Sequence, residues 1–145
     1  MDRPAIRLLN ALIRRGIDDQ DLYRQTATQV AEPGLRVVLG EMADTVRDIV
    51  SGLQAEVLTL GGKPATAGTT GGSLRRSLAG VQIGMANDGD VTGIRWLEQR
   101  ESRLLVAFEQ VADRPGCVQV IARHYLPRLR NVHIDMCSLA QAARS

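Results

Sequence analysis

Four long segments of the chain repeat apolar residues at spacings of three and four, the period of an α-helix buried along one side. Proline, glycine and other turn residues separate the segments, because they do not continue a helix. Aromatic residues make up only 3% of the chain, whereas β-sandwiches and barrels use more aromatic and β-branched residues. The sequence therefore predicts an all-α protein. The predicted helices run from about Pro4 to Ala31, Leu35 to Leu60, Val91 to Ala112 and Pro115 to Ala142.

The connections between these segments predict how the helices are ordered. About three residues join the first helix to the second and the third to the fourth, so each pair should form an antiparallel hairpin. The link from Gly61 to Asp90 contains a short predicted helix, about Ser73 to Met85, and ends in a turn from Asn87 to Asp90. A hairpin, a long crossover and a second hairpin make a ferritin-like four-helix bundle. The length of 145 residues fits one domain over positions 1–145.

Charge and hydropathy restrict the environment and the partners. Eighteen basic and 16 acidic residues give a net charge of +2, too balanced to predict a nucleic-acid or membrane partner. No apolar run approaches the roughly 20 residues of a membrane span, and charges interrupt the N-terminal residues where a secretory signal would be apolar. Cys117 and Cys137 should lie about 30 Å apart along one helix, too far for a disulfide. These features predict a cytoplasmic protein.

Polar side chains interrupt two of the apolar rows. Gln20 stands in the row of the first helix and Glu101 in that of the third, while Glu98 and His133 flank the apolar rows of the third and fourth helices. A buried carboxylate must be paired, protonated or bound to metal. One interpretation is a reduced metal site with Glu98, Glu101 and His133 as ligands and Gln20 hydrogen-bonded behind them. The other is a hydrogen-bonded layer from Gln20 through Glu101 to His133, extended by Tyr23.

A second pattern lies on the fourth helix. His133 and Cys137 are four residues apart and share a helix face. Such a pair activates a thiolate nucleophile or supplies two metal ligands. The sequence shows no third orienting group and no oxyanion-hole loop, so a small buried thiol is the simpler interpretation.

Other charged and glycine-rich stretches predict ordinary surface and loop structure. Asp18, Asp19 and Asp21 alternate with arginines on the first helix, a pattern typical of a solvated face. The glycine-rich run from Gly61 to Ser73 lacks a preceding strand and carries Lys63 at the wrong end for a phosphate-binding loop. It is interpreted as a flexible crossover.

Several short strings follow one another along nearly the whole chain: Leu9 to Ile13, Tyr23, Leu53-Gln54, Leu60 to Pro64, Gly68, Gly72 to Arg76, Glu98 with Glu101, and His133 with Asp135. Taken in this order, they resemble a bacterial family of small ferritin-like four-helix-bundle proteins of unknown function. That resemblance implies a distant relation to ferritins and rubrerythrins and a di-metal ancestry. The family pattern is expected to carry Glu near position 20 and before Leu53, where this chain has Gln20 and Gly52.

These observations predict a structural or interaction protein whose metal site is degenerate. Two ligand side chains, or three with Glu98, are too few to hold two divalent ions in a dry core. The alternative is a non-haem iron- or manganese-binding protein, such as an oxidase, a peroxidase or a stress-related metal binder. The base rate for soluble proteins favours a homodimer, formed through a helix face or the crossover.

Overall fold

The computed structural model describes residues 3–69, 87–114 and 116–144, and all regular structure in these ranges is helical. The predicted all-α class is therefore confirmed. The short helix predicted from Ser73 to Met85 lies outside the described residues. The predicted turn from Asn87 to Asp90 is wrong, because these residues already form the start of the third helix. The helices are α1 (Arg3–Gln29), α2 (Pro33–Thr59), α3 (Asn87–Ala112) and α4 (Cys117–Arg144).

Local sequence explains where α2 begins and ends. The Glu32 carboxylate accepts hydrogen bonds from the backbone N–H groups of Gly34 and Leu35, at 3.0 and 2.6 Å, and thereby caps the first turn. Pro33 occupies the start of the helix, where its missing N–H costs nothing. At the other end Gly61 takes φ +84°, a conformation that glycine adopts without strain.

Contacts between α1 and α2 show that the two helices run antiparallel. Arg24 on α1 reaches Asp44 on α2 at 3.4 Å, near their short connection. At the opposite end of the hairpin, the Asn10 side chain near the start of α1 donates to the carbonyl of Lys63 and accepts from the N–H of Ala65, just beyond the end of α2. The start of α1 thus lies beside the end of α2, as expected for the predicted antiparallel hairpin.

The two hairpins pack into a four-helix bundle. α3 packs mainly against α4, α1 contacts α3, and α2 contacts α4, with a smaller contact between α1 and α4. One apolar core runs through all four helices and contains the predicted apolar rows. Pro127, for which the sequence predicts a kink, lies within α4. The largest fully buried side chains are Tyr23, Phe108, Leu9, Leu12, Ile13, Leu22, Leu39, Ile49, Leu53, Ile94 and Leu97.

The first part of the crossover returns along α1. The Gln54 side chain donates to the carbonyl of Ala65 at 2.9 Å. Further along, Asp18 on α1 accepts hydrogen bonds from the backbone N–H and the hydroxyl of Thr69. A Cβ at Gly68 would overlap the Asp18 carboxylate, so a larger residue there would displace this side chain. Asp18 is therefore an anchor for the crossover.

Candidate functional site

Glu101 is the centre of the polar residues inside the bundle. Its side chain lies on α3 between the buried Leu97 and Leu104, and the residue is 0% exposed. Glu101 Oε2 lies 2.6 Å from Nδ1 of His133 on α4. The other oxygen, Oε1, has no hydrogen-bond partner in the described part of the chain. The predicted contact between Glu101 and His133 is thus present and joins the two helices of the second hairpin.

The residue that α1 contributes to this region is Asp19 rather than Gln20. Asp19 is 6% exposed, so its interpretation as part of a solvated face is wrong. Gln20 is only half-buried, and within the described ranges it makes no hydrogen bond to Glu101 or His133. A helical row can pass from Gly16 to Tyr23 through either position, because steps of three and four are both one turn.

Tyr23 lies on the same side of α1 and is completely buried. Its hydroxyl has no hydrogen-bond partner among the residues that the structure describes, nor has Oδ2 of Asp19. Burial raises the pKa of Tyr23 well above its usual value, and the charges of Asp19 and Glu101 raise it further. Asp19, Tyr23, Glu101 and His133 therefore form one electrostatically linked group, which we call the polar layer.

The carboxyl groups of the polar layer hold their protons more firmly than exposed ones. Burial raises the pKa of Asp19 well above its usual value, the charges of Glu101 and Asp18 add to this, and two arginines partly oppose it. Burial likewise raises the pKa of Glu101, although the hydrogen bond and charge of His133 act in the other direction. The charge of Glu101 thus disfavours ionisation of Asp19 across the interior of the bundle.

The polar layer reaches the surface on the α4 side. The His133 side chain is 33% exposed, and its Nε2 lies 3.5 Å from Sγ of Cys137. The contact between His133 and Cys137 that their spacing allows is present, whereas the simpler interpretation of a small buried thiol is wrong, because Cys137 is only partly buried. The structure also supplies an orienting group for this pair, because Glu101, which the sequence pairs with His133 but does not link to Cys137, holds the opposite nitrogen of the same ring.

The three predicted metal ligands are only partly brought together. Glu101 and His133 are in contact, whereas Glu98 lies one turn earlier on α3 and acts on Glu101 through charge, raising its pKa. Over residues 3–69, 87–114 and 116–144, no group of three or more His, Cys, Asp or Glu side chains is arranged to hold a metal ion. The metal centre of Glu98, Glu101 and His133 stays a prediction.

The position before Leu53 has a different use from the one that the resemblance implies. A Cβ at Gly52 would lie 2.7 Å from Cζ of Tyr125 and would overlap its hydroxyl. The space beside α2 is thus filled by an aromatic side chain from α4.

The donors that are in contact, the Glu101 carboxylate and the His133 imidazole, do not fit a dinuclear metal centre. Such a centre needs several carboxylates to balance its charge.

Two of the clefts along the described helices have carboxylates on their walls. One, of about 210 Å³, lies between α1 and α3 and has Asp19 on its wall. The other, of about 430 Å³, lies between α2 and α4, and three carboxylates line it. The residues that border the first cleft are Arg15, Asp18, Asp19, Leu22, Thr69, Arg100, Arg103 and Leu104. Those that border the second are Val38, Glu41, Met42, Thr45, Asp48, Arg128, Asn131, Val132 and Asp135.

Comparison with known proteins assigns the family. Residues 4–114 match the family described as a domain of unknown function, DUF2383, and the chain belongs to that family. The match covers α1 to α3 and ends before α4, which carries His133 and Cys137. Neither the curated proteins nor the solved structures gave a match. Within the described ranges, the helices are too short or too polar to cross a membrane.

Proposed function

We propose that this protein has a structural or interaction role and is a ferritin-like bundle whose metal site has degenerated into the polar layer. The observation that carries the proposal is the contact of 2.6 Å between Glu101 and His133. This contact gives the buried carboxylate a protein partner in the position where a metal-binding bundle would offer it to an ion. In this role the surface of the bundle makes the contacts with other molecules, and the interior holds the four helices in their positions.

The polar layer supports that role by fixing how α3 and α4 align. A buried carboxylate is costly to leave without a partner, so sliding one helix by a turn would separate Glu101 from His133 and leave the charge uncompensated. Apolar contacts alone discriminate less sharply between such alignments, because one aliphatic side chain replaces another at similar cost. We therefore assign the layer a role in helix register.

Metal analysis combined with Glu101→Gln tests this function. Glutamine keeps the side-chain shape and an oxygen that accepts a hydrogen bond from His133, but it removes the charge. We expect the free energy of unfolding to change by less than about 1 kcal/mol, because a neutral amide is cheaper to bury than a carboxylate. We also expect purified wild-type protein to contain less than stoichiometric iron, manganese and zinc by elemental analysis.

The alternative function gives the opposite pair of results. Stoichiometric iron or manganese in the wild type, lost in Glu101→Gln together with more than about 3 kcal/mol of stability, would support a metal-binding protein instead.

Light scattering on the same preparation tests whether the chain forms the predicted homodimer, which should give twice the mass of the 15.8 kDa chain.

A further inference from the structure

Three side chains form a continuous hydrogen-bonded series at the edge of the polar layer. Glu101 Oε2 lies 2.6 Å from Nδ1 of His133, and Nε2 of the same ring lies 3.5 Å from Sγ of Cys137. His133 and Cys137 share a face of α4, whereas Glu101 comes from α3. The series therefore depends on packing within the second hairpin, and both ring nitrogens are used.

This order of groups is the one that activates a thiol. With Glu101 ionised, Nδ1–H of His133 donates to the carboxylate, which leaves the lone pair of Nε2 directed at Cys137. The thiol S–H then donates to Nε2, and the ring can accept its proton. A nucleophile, a base and a third group that orients the base are the elements of covalent catalysis by cysteine.

Burial decides which end of the series meets a reactant. Glu101 is 0% exposed, whereas the His133 side chain is 33% exposed and Cys137 is partly exposed. The orienting carboxylate is thus shielded from water, whereas Cys137, which carries the thiol, is partly exposed at the edge of the bundle. Partial exposure admits a compact reagent more readily than another folded chain.

We propose that Cys137 is a nucleophilic thiol that exchanges with small disulfides. His133 Nε2 takes the proton from Sγ, and the resulting thiolate attacks one sulfur of the disulfide. A new bond forms between Sγ and that sulfur, the original S–S bond breaks, and the second sulfur leaves with the electron pair as a thiolate. The disulfide is the only oxidant required, and excess small thiol reverses the step. This site shares the contact of Glu101 with His133 with the proposed structural role, but the reaction of Cys137 does not require that role.

The second cysteine provides a control within the same chain. Cys117 is exposed at the start of α4, about 30 Å from Cys137 along the helix, and so lies out of reach of His133. Cys117→Ser isolates the reaction of Cys137, and Cys137→Ser isolates that of Cys117. A substitution that acts through the proposed series should affect the first protein and leave the second unchanged.

The experiment follows the release of thionitrobenzoate from dithiobis(nitrobenzoate), an aromatic disulfide. In the Cys117→Ser protein, we expect His133→Gln to slow the reaction of Cys137 at least about tenfold, and Glu101→Gln to slow it severalfold. The reaction of Cys117 should keep its rate in both variants. Asp135→Asn, which removes an exposed charge two residues from Cys137, should change the rate of Cys137 by less than twofold.

Circular dichroism checks that each variant is folded, and mass spectrometry locates the adduct. If Glu101→Gln does not fold, the comparison of His133→Gln with Asp135→Asn decides the outcome. The proposal is overturned if Cys137 reacts at the same rate with and without His133, or if the adduct forms only after the protein is unfolded.

Discussion

The two helical hairpins share a spacing of apolar residues but differ in what lies at their interfaces. Between α1 and α2 the backbones approach closely where Gly16 faces Val50, and the ion pair of Arg24 with Asp44 lies at the surface. Between α3 and α4 the buried Glu101 contacts His133. The comparison shows that one pattern of spacing supports two kinds of interface, the first specified by shape and the second by hydrogen bonding and charge.

The largest effect on the free energy of unfolding should come from truncating a buried apolar side chain. Leu53 on α2 is 0% exposed, and Leu53→Ala should lower the free energy of unfolding by about 2–5 kcal/mol, because it leaves a cavity in the core. Leu58→Ala, on the same helix at 63% exposure, should change it by less than about 0.5 kcal/mol. Chemical denaturation monitored by circular dichroism measures both. Equal losses would show that Leu53 does not contribute to the core as its burial indicates.

A smaller effect should test whether the close approach of α1 to α2 at Gly16 matters for stability. A Cβ at Gly16 would lie 2.6 Å from Cγ2 of Val50, so Gly16→Ala should cost about 1–2 kcal/mol despite the higher helix propensity of alanine. Gly40→Ala on α2 meets nothing within 4 Å and should stabilise by up to about 1 kcal/mol. Thermal unfolding of the two variants should therefore shift in opposite directions. Stabilisation by both would mean that the helices tolerate a wider separation.

The smallest effect should test the polar layer through its dependence on pH. Because burial raises the pKa of Asp19, the folded protein keeps a proton that the unfolded chain releases above about pH 4. The free energy of unfolding should therefore fall as pH rises from there toward the folded pKa. Asp19→Asn should reduce this slope and stabilise the protein by about 1 kcal/mol at neutral pH.

The control for this prediction is Asp48→Asn, because the Asp48 side chain is 60% exposed on α2. It should leave the slope of stability against pH unchanged. Urea denaturation at intervals from pH 3 to pH 8 measures both variants. A slope unaltered by Asp19→Asn would show that Asp19 is not the buried group that responds to pH.

The fold followed from the sequence because its signals are local. The spacing of apolar residues, together with proline and glycine at the breaks, predicted all four helices close to their observed bounds. Their short connections predicted both hairpins. The start of α3 was less predictable, since the polar residues from Asn87 to Asp90 suit a turn and the first part of a helix equally well.

The site followed only in part, because it depends on contacts between helices. Glu101 and His133 were recognised since each interrupts or borders an apolar row. Asp19 was missed, because helical geometry alone does not choose between Asp19 and Gln20 as the inward residue. The contact of His133 with Glu101 was predicted although it joins positions 32 residues apart, whereas the connection of this pair to Cys137 in one series became clear only from the structure.

The sequence by itself determined that this protein forms four amphipathic helices in two hairpins, since periodicity and helix breaks act over a few residues. Tertiary structure decided which polar side chains meet: Asp19 lines the interior, Tyr125 fills the space at Gly52, and Glu101 holds His133 beside Cys137. The physical reason is that the rotation and alignment of packed helices set these contacts. Rotation by a fraction of a turn exchanges one buried side chain for its neighbour while leaving the apolar pattern almost equally well satisfied.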